Sequence, residues 1–143
     1  MNKQILIIMR GPSGGGKSTK SAELAIQYNA VIYSTDEYHY IDGKYEFQPT
    51  KLGLFHNLNQ KRTIKALQEG KSVIVDNTNL TMRDVKPYVK AAHDLGIEIM
   101  FVVCNGEYKN LHGVPEEKVL EMRKRMQDFT VEDVLASIAN EGK

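Results

Sequence analysis

Three consecutive glycines, Gly14-Gly15-Gly16, sit between a short apolar run and a helical pattern, and that junction constrains the chain more than any other segment. The apolar run is Ile5 to Met9, and the helical pattern is Lys17 to Tyr28. Residues 11–18, Gly-Pro-Ser-Gly-Gly-Gly-Lys-Ser, fit G-x-x-x-x-G-K-[ST] in the strand–loop–helix setting that this pattern requires. Glycines let the backbone curl until successive N–H groups point inward at phosphate oxygens, and the helix N-terminus behind them adds positive potential. A merely structural turn has no need of three glycines, each of which costs backbone entropy on folding. The pattern assigns Gly11, Ser13, Gly14, Gly15, Gly16, Lys17, Ser18 and Thr19 to the phosphates of a nucleoside triphosphate. Lys17 is expected to reach the β- and γ-phosphates, and the Ser18 hydroxyl to ligate magnesium.

Three further apolar runs, Val31 to Tyr33, Val73 to Val75 and Ile97 to Cys104, alternate with helical patterns. The first three runs of the chain are continuous, as in strands covered on both faces of a parallel sheet. The first helix is predicted to bury Ala22, Ala25 and Ile26, the second Leu54, Phe55, Leu58, Ile64 and Leu67. The third carries Val85, Tyr88, Val89 and Ala92 at i, i+3, i+4 and i+7. Pro87 is tolerable there if Asp84 is the N-cap, whereas a start at Thr81 should kink the helix. Two more helices are expected, one from Pro115 and one capped by Thr130 with Val131, Val134, Leu135 and Ile138 as its stripe. Alternating strand and helix predicts an α/β fold with right-handed crossovers, and residues 1–143 are expected to form a single domain with a short lid around 105–115.

Two acidic segments follow strands and are expected on the edge that carries the glycine loop. Asp36, in Ser34-Thr35-Asp36-Glu37, is placed to accept the proton of an attacking hydroxyl, the alternative being a helix N-cap; Glu37 is the second candidate base. Asp76, in Val75-Asp76-Asn77-Thr78-Asn79, follows Val-Ile-Val as a metal-holding carboxylate does, the alternative being a polar loop that caps the next helix. Moving a phosphoryl group also needs cations over the γ-phosphate. Lys109 is the first candidate and Arg123 the second; Arg125 reads as part of a solvated face.

Formal net charge is +1, so no global field points to a nucleic-acid or membrane partner, although a local basic groove remains compatible with it. The one cysteine, Cys104, excludes an intrachain disulfide and suits a reducing, cytoplasmic setting as an inert thiol. No apolar run reaches the length of a membrane span, none resembles a signal peptide, and no obligate protein partner is evident.

Together these residues resemble the polynucleotide-kinase-like branch of P-loop kinases. That branch includes the kinase domains of phage polynucleotide kinase and of some animal ubiquitin-ligase-binding proteins. The resemblance spans roughly positions 4 to 129. It rests on the glycine loop, Ser34-Thr35-Asp36-Glu37-Tyr38, Tyr45-x-Phe47, His56-x-x-Asn59-Gln60-Lys61-Arg62, Asp76-Asn77-Thr78-Asn79 and His112-Gly113-Val114-Pro115 with Met122-Arg123. It implies a P-loop NTPase fold: three α/β/α layers around a small parallel sheet in the order 2-3-1-4. It also implies ATP as donor and Asp36 as base toward a polynucleotide 5′-hydroxyl. His39, His56, Asn59, Arg62 and Asn79 are the expected substrate contacts, with Tyr38 to Phe47 stacking a base or packing as a loop. Where the phage enzyme has arginines, this chain has His39 and Lys109. Other acceptors consistent with the residues are a hydroxymethylated base in DNA, a nucleotide or another small molecule. A nucleotide-binding regulatory ATPase without an acceptor is the remaining alternative.

Overall fold

The computed structural model describes residues 3–12, 16–104 and 116–141. Four parallel strands form the central sheet: β1 (Ile5–Arg10), β2 (Ala30–Tyr33), β5 (Ser72–Asp76) and β6 (Glu98–Val103). Their spatial order is β2-β5-β1-β6, which is the expected 2-3-1-4 once the hairpin strands β3 (Tyr40–Ile41) and β4 (Lys44–Tyr45) are set aside. The helices are α1 (Lys17–Tyr28), α2 (Leu52–Gln68), α3 (Met82–Asp94), α4 (Glu116–Arg125) and α5 (Val131–Glu141). Among the described residues, no helix is long and apolar enough to cross a membrane.

β1 is buried along its whole length, and its alternate residues serve two separate cores. Leu6 and Ile8 join Val73, Val75, Leu67, Val85, Val89 and Val134 beneath α2, α3 and α5. Ile5, Ile7 and Met9 join Leu24 and Ile74 beneath α1. This two-sided burial accounts for an unbroken apolar run where a one-sided strand would alternate.

Two helix faces differ from expectation. α1 buries Ser21 and Leu24, with Ala25 and Tyr28 packed beside them, while Ile26 is 86% exposed and Ala22 faces outward. The actual stripe, 21/24/25/28, contains a serine and a tyrosine, so the most apolar arc is not the packed one. α2 buries Phe55, Asn59, Thr63, Ala66 and Leu67 and turns Leu54 and Leu58 toward solvent. The third helix buries Val85, Tyr88, Val89 and Ala92 as expected. Its cap is Thr81 rather than Asp84: the Thr81 N–H donates to Asp84 Oδ2 at 3.1 Å. Pro87 is therefore interior, and the helix nonetheless runs on to Asp94. At α5, Thr130 and Asp133 cap each other reciprocally, at 2.9 and 3.2 Å.

The segment after β2 is ordered by packing. A 3-10 turn, Thr35–His39, leads into the β3–β4 hairpin, whose Asp42-Gly43 tip has φ of 49° and 81°. Positive φ at both central residues is the demand of a type I′ turn, and Asp-Gly supplies it at little cost.

Candidate active site

The loop flanks are fixed by backbone constraints. Gly11 has φ 154°, and its N–H donates to the Thr78 carbonyl at 2.9 Å. A Cβ built there would lie 2.1 Å from the Cys104 carbonyl oxygen, so glycine is required for β1 to pass β6. Gly16, at φ 91°, caps α1 and starts it at Lys17. Lys17 donates from Nζ to the carbonyls of Gly11 and Pro12, at 3.1 and 3.0 Å. Burial pushes its ammonium below the ordinary lysine value, while Asp76, Cys104 and Asp36 push the other way. Ser18 and Thr19 lie exposed in the first turn of α1. Ser13, Gly14, Gly15 and Lys109 lie outside the described residues, and so does the side chain of Arg123 within α4.

Parallel register brings the acidic residues to the same edge. Asp76 ends β5 opposite Met9, two residues before Gly11. Tyr33 ends β2 opposite Val75, so the turn bearing Asp36 leaves the sheet beside Asp76. Thr35 donates from both its N–H and its hydroxyl to Asn77 Oδ1, at 2.9 Å each, tying the two strand ends together. The turn is capped by Ser34, whose Oγ accepts the Asp36 N–H at 3.2 Å. The helix N-cap expected within Ser34-Thr35-Asp36 is thus Ser34. Cys104 is half-buried, and burial pushes its thiol up against the opposing pull of Lys17. A thiol raised in this way is a poor nucleophile near neutrality.

Four of the five expected substrate contacts have partners inside the protein. His39 is 1% exposed, lies against Tyr45, Phe47 and Phe55, and accepts the Gln48 N–H on Nδ1 at 3.0 Å. Asn59 is fully buried and donates to the Tyr88 hydroxyl at 3.0 Å. Asn79, buried at φ 47°, donates to the Met9 carbonyl at 2.7 Å. Arg62 donates to Asn59 Oδ1 from Nε and Nη2, to the Ser34 carbonyl from Nη2, and pairs with Glu37 through Nη1. His56 is exposed, Arg62 is part-exposed and Asn59 is buried, so the 56–59–62 stripe is not one continuous exposed surface.

Sequence reasoning passed over Arg10. It is 1% exposed and donates to the carbonyls of Asn79 (2.9 Å), Leu80 (3.1 Å) and Gln127 (2.7 Å). Its guanidinium lies 3.8 Å from the Phe129 ring centre. The signal was available: an arginine closing a fully buried strand must find acceptors, and only backbone carbonyls were at hand.

Among the described residues no group of three His, Cys, Asp or Glu side chains is arranged to hold a metal ion. Magnesium in phosphate-transfer sites is held by one or two protein oxygens plus phosphates and water. The Ser18 hydroxyl and the Asp76 carboxylate are hard oxygen donors of that kind, and Asp76 lies within electrostatic reach of Lys17.

A glycine loop between β1 and α1, strand order β2-β5-β1-β6 and an acidic carboxyl edge define a P-loop kinase fold. A family model described as AAA domain matches residues 6–112, and the chain belongs to that family. NEDD4-binding protein 2 of Homo sapiens is 34% identical over 144 residues, which is 93% of this chain but 8% of that protein. A chain of the Pnkp1/Rnl/Hen1 RNA repair complex superposes with TM-score 0.60 at 19% identity, covering 94% of this chain and 42% of its own. The Mycobacterium tuberculosis APS kinase CysC, in complex with AMPPNP and APS, superposes with TM-score 0.55 at 16% identity, covering 87% and 69%. At these identities the two structures speak to fold alone.

Proposed function

We propose that this chain is an ATP-dependent phosphotransferase that moves the γ-phosphate to a polynucleotide 5′-hydroxyl. The observation that carries the reading is the convergence of Lys17, Asp76 and Asp36 on one sheet edge, where both carboxylates act on the Lys17 charge. Lys17, with the N–H groups of the loop, would hold the β- and γ-phosphates. Asp36 would take the acceptor proton as the new O–P bond forms and the bridging P–O bond breaks, releasing ADP. When bound, Mg2+ supplies neutralisation of the phosphate charge, with Ser18 and Asp76 as the residues to hold it. Lys109 and Arg123 remain the proposed cations over the γ-phosphate.

Support for a polynucleotide comes from the resemblance of the motifs to polynucleotide-kinase-like P-loop kinases and from exposed aromatics beside the Asp36 turn. Tyr40 is 50% exposed and Phe47 57%. The smaller acceptor is favoured by a different observation, the internal hydrogen bonds of Arg62 and Asn59, which compete with their contacting an adjacent phosphate. Labelled γ-phosphate from ATP, offered to a 5′-hydroxyl oligonucleotide, the matching nucleoside and a metabolite panel, tests both. The oligonucleotide should show the highest kcat/KM. A nucleoside or metabolite that exceeds it overturns the polynucleotide assignment, and no transfer to any acceptor leaves the regulatory ATPase reading.

A further inference from the structure

We propose that Arg62 is a positioning residue for the Asp36 turn, one end of a buried relay that begins at Tyr88 in α3, and that it does not touch the acceptor. This rests on Asp36 being the base. The guanidinium has five N–H donors, and its four polar contacts all run to the protein. Nη2 donates to the Ser34 carbonyl at 3.1 Å, and Nη1 meets Glu37 Oε2 at 2.8 Å. Ser34 and Glu37 flank Asp36 on either side, so Arg62 grips the turn at both ends. The other two bonds, from Nε and Nη2 to Asn59 Oδ1 at 3.0 and 2.8 Å, fix the fork itself.

Two rings confine the guanidinium further: its carbon lies 4.2 Å from the centre of Tyr33 and 4.7 Å from that of Tyr38. Tyr38 is itself stacked on Phe55 of α2, with ring centres 5.6 Å apart. Behind the fork, Asn59 has no exposure, and its amide donates to the hydroxyl of Tyr88, which is 2% exposed. A relay from α3 through α2 therefore ends on the backbone that carries Asp36. An arginine free to clamp a substrate phosphate would present its fork outward. Here the fork is spent on an asparagine oxygen and a main-chain carbonyl, which lysine cannot reproduce in planar geometry.

The test uses Arg62→Lys, which keeps the charge, and Tyr88→Phe, which removes one buried hydroxyl. Amide hydrogen exchange over residues 34–39 reads positioning without requiring turnover. Both variants should speed exchange there, roughly tenfold for Arg62→Lys and a few-fold for Tyr88→Phe, with β5 amides unchanged. Steady-state transfer should show kcat down roughly 10- to 100-fold in Arg62→Lys, with the acceptor KM within about threefold. Unchanged exchange over 34–39 in Arg62→Lys overturns the proposal. So does a tenfold rise in acceptor KM at constant kcat, the signature of a lost acceptor contact, and so does faster exchange with unaltered kcat. If Asp36→Asn transfers phosphate normally, the base assignment fails instead, and the exchange arm still decides whether Arg62 holds the turn.

Discussion

Gly11 is a residue at which backbone geometry leaves little room for change. Its φ of 154° and the Cys104 oxygen 2.1 Å from an ideal Cβ position mean that Gly11→Ala must push β1 and β6 apart. We expect a loss of about 3 kcal/mol or more, read as a lower urea midpoint. Gly53→Ala is the matched control, since nothing lies within 4 Å of its Cβ position inside α2. That change should stabilise by about 0.5–1 kcal/mol. Asp36→Asn should leave ATP affinity within a few-fold and cut phosphoryl transfer by about 10²–10⁴. Collapse of ATP binding with transfer per bound ATP intact would make Asp36 a metal or structural group. The glycine loop and the placing of Asp36 and Asp76 at one sheet edge were legible because they depend on short-range order along the chain. The internal partners of His39, Asn59, Arg62 and Asn79 were not legible, for the opposite reason. Each is polar beside a functional segment, and nothing in the spacing says that Tyr88, Gln48 or the Met9 carbonyl will arrive to engage it.

The strands were the most legible elements, since continuous burial in a parallel sheet writes itself as an apolar run. Helix faces were less so. In α1 and α2 the packed stripes include Ser21, Asn59 and Thr63, so hydrophobicity alone points to the wrong arc. The hairpin segment shows the same coupling of polar chemistry to packing and carries a pH prediction. His39 Nδ1 accepts the Gln48 N–H, which only the neutral ring can do. Burial lowers its pKa below 6.5, His56 lowers it further, and Asp36 opposes. Below pH 6.5 the unfolded chain therefore binds a proton that the folded chain resists, and stability falls with pH until the lowered folded value is reached. The thermal midpoint should drop by a few degrees between pH 7 and 5.5. In His39→Asn, whose amide oxygen can replace Nδ1 as acceptor, the midpoint starts lower but this dependence flattens. An equal slope in both proteins would assign it to other groups.

At the scale of the whole molecule, one side chain joins the residues after the carboxyl edge of the sheet to the α4–α5 junction. Gln127 lies between α4 and α5, donates its N–H to the Leu80 carbonyl at 2.8 Å and accepts the Met82 N–H on Oε1 at 2.9 Å. Arg10 completes the junction by donating to the carbonyls of Asn79, Leu80 and Gln127, while Phe129 covers its guanidinium. Burial pushes Arg10 below the ordinary arginine value, and the charges of Asp128 and Asp84 oppose that shift. The charge stays because carbonyl dipoles and an aromatic face replace its water. α5 then brings Val134 into the same core as β1 and α3. Removing Arg10 should therefore loosen the α4–α5 junction as well as the strand end. Arg10→Ala strands the Asn79 and Gln127 carbonyls without this donor and uncovers Phe129, at a cost of about 3 kcal/mol. Arg10→Met keeps much of the volume but none of the hydrogen bonds, and should cost about 2 kcal/mol. Urea unfolding measures both, and limited proteolysis locates the effect, with cleavage expected first around residues 126–130. If Arg10→Met matches the parent in midpoint and protease resistance, the carbonyl bonds contribute nothing net, and packing against Phe129 alone holds the C-terminal helix in place.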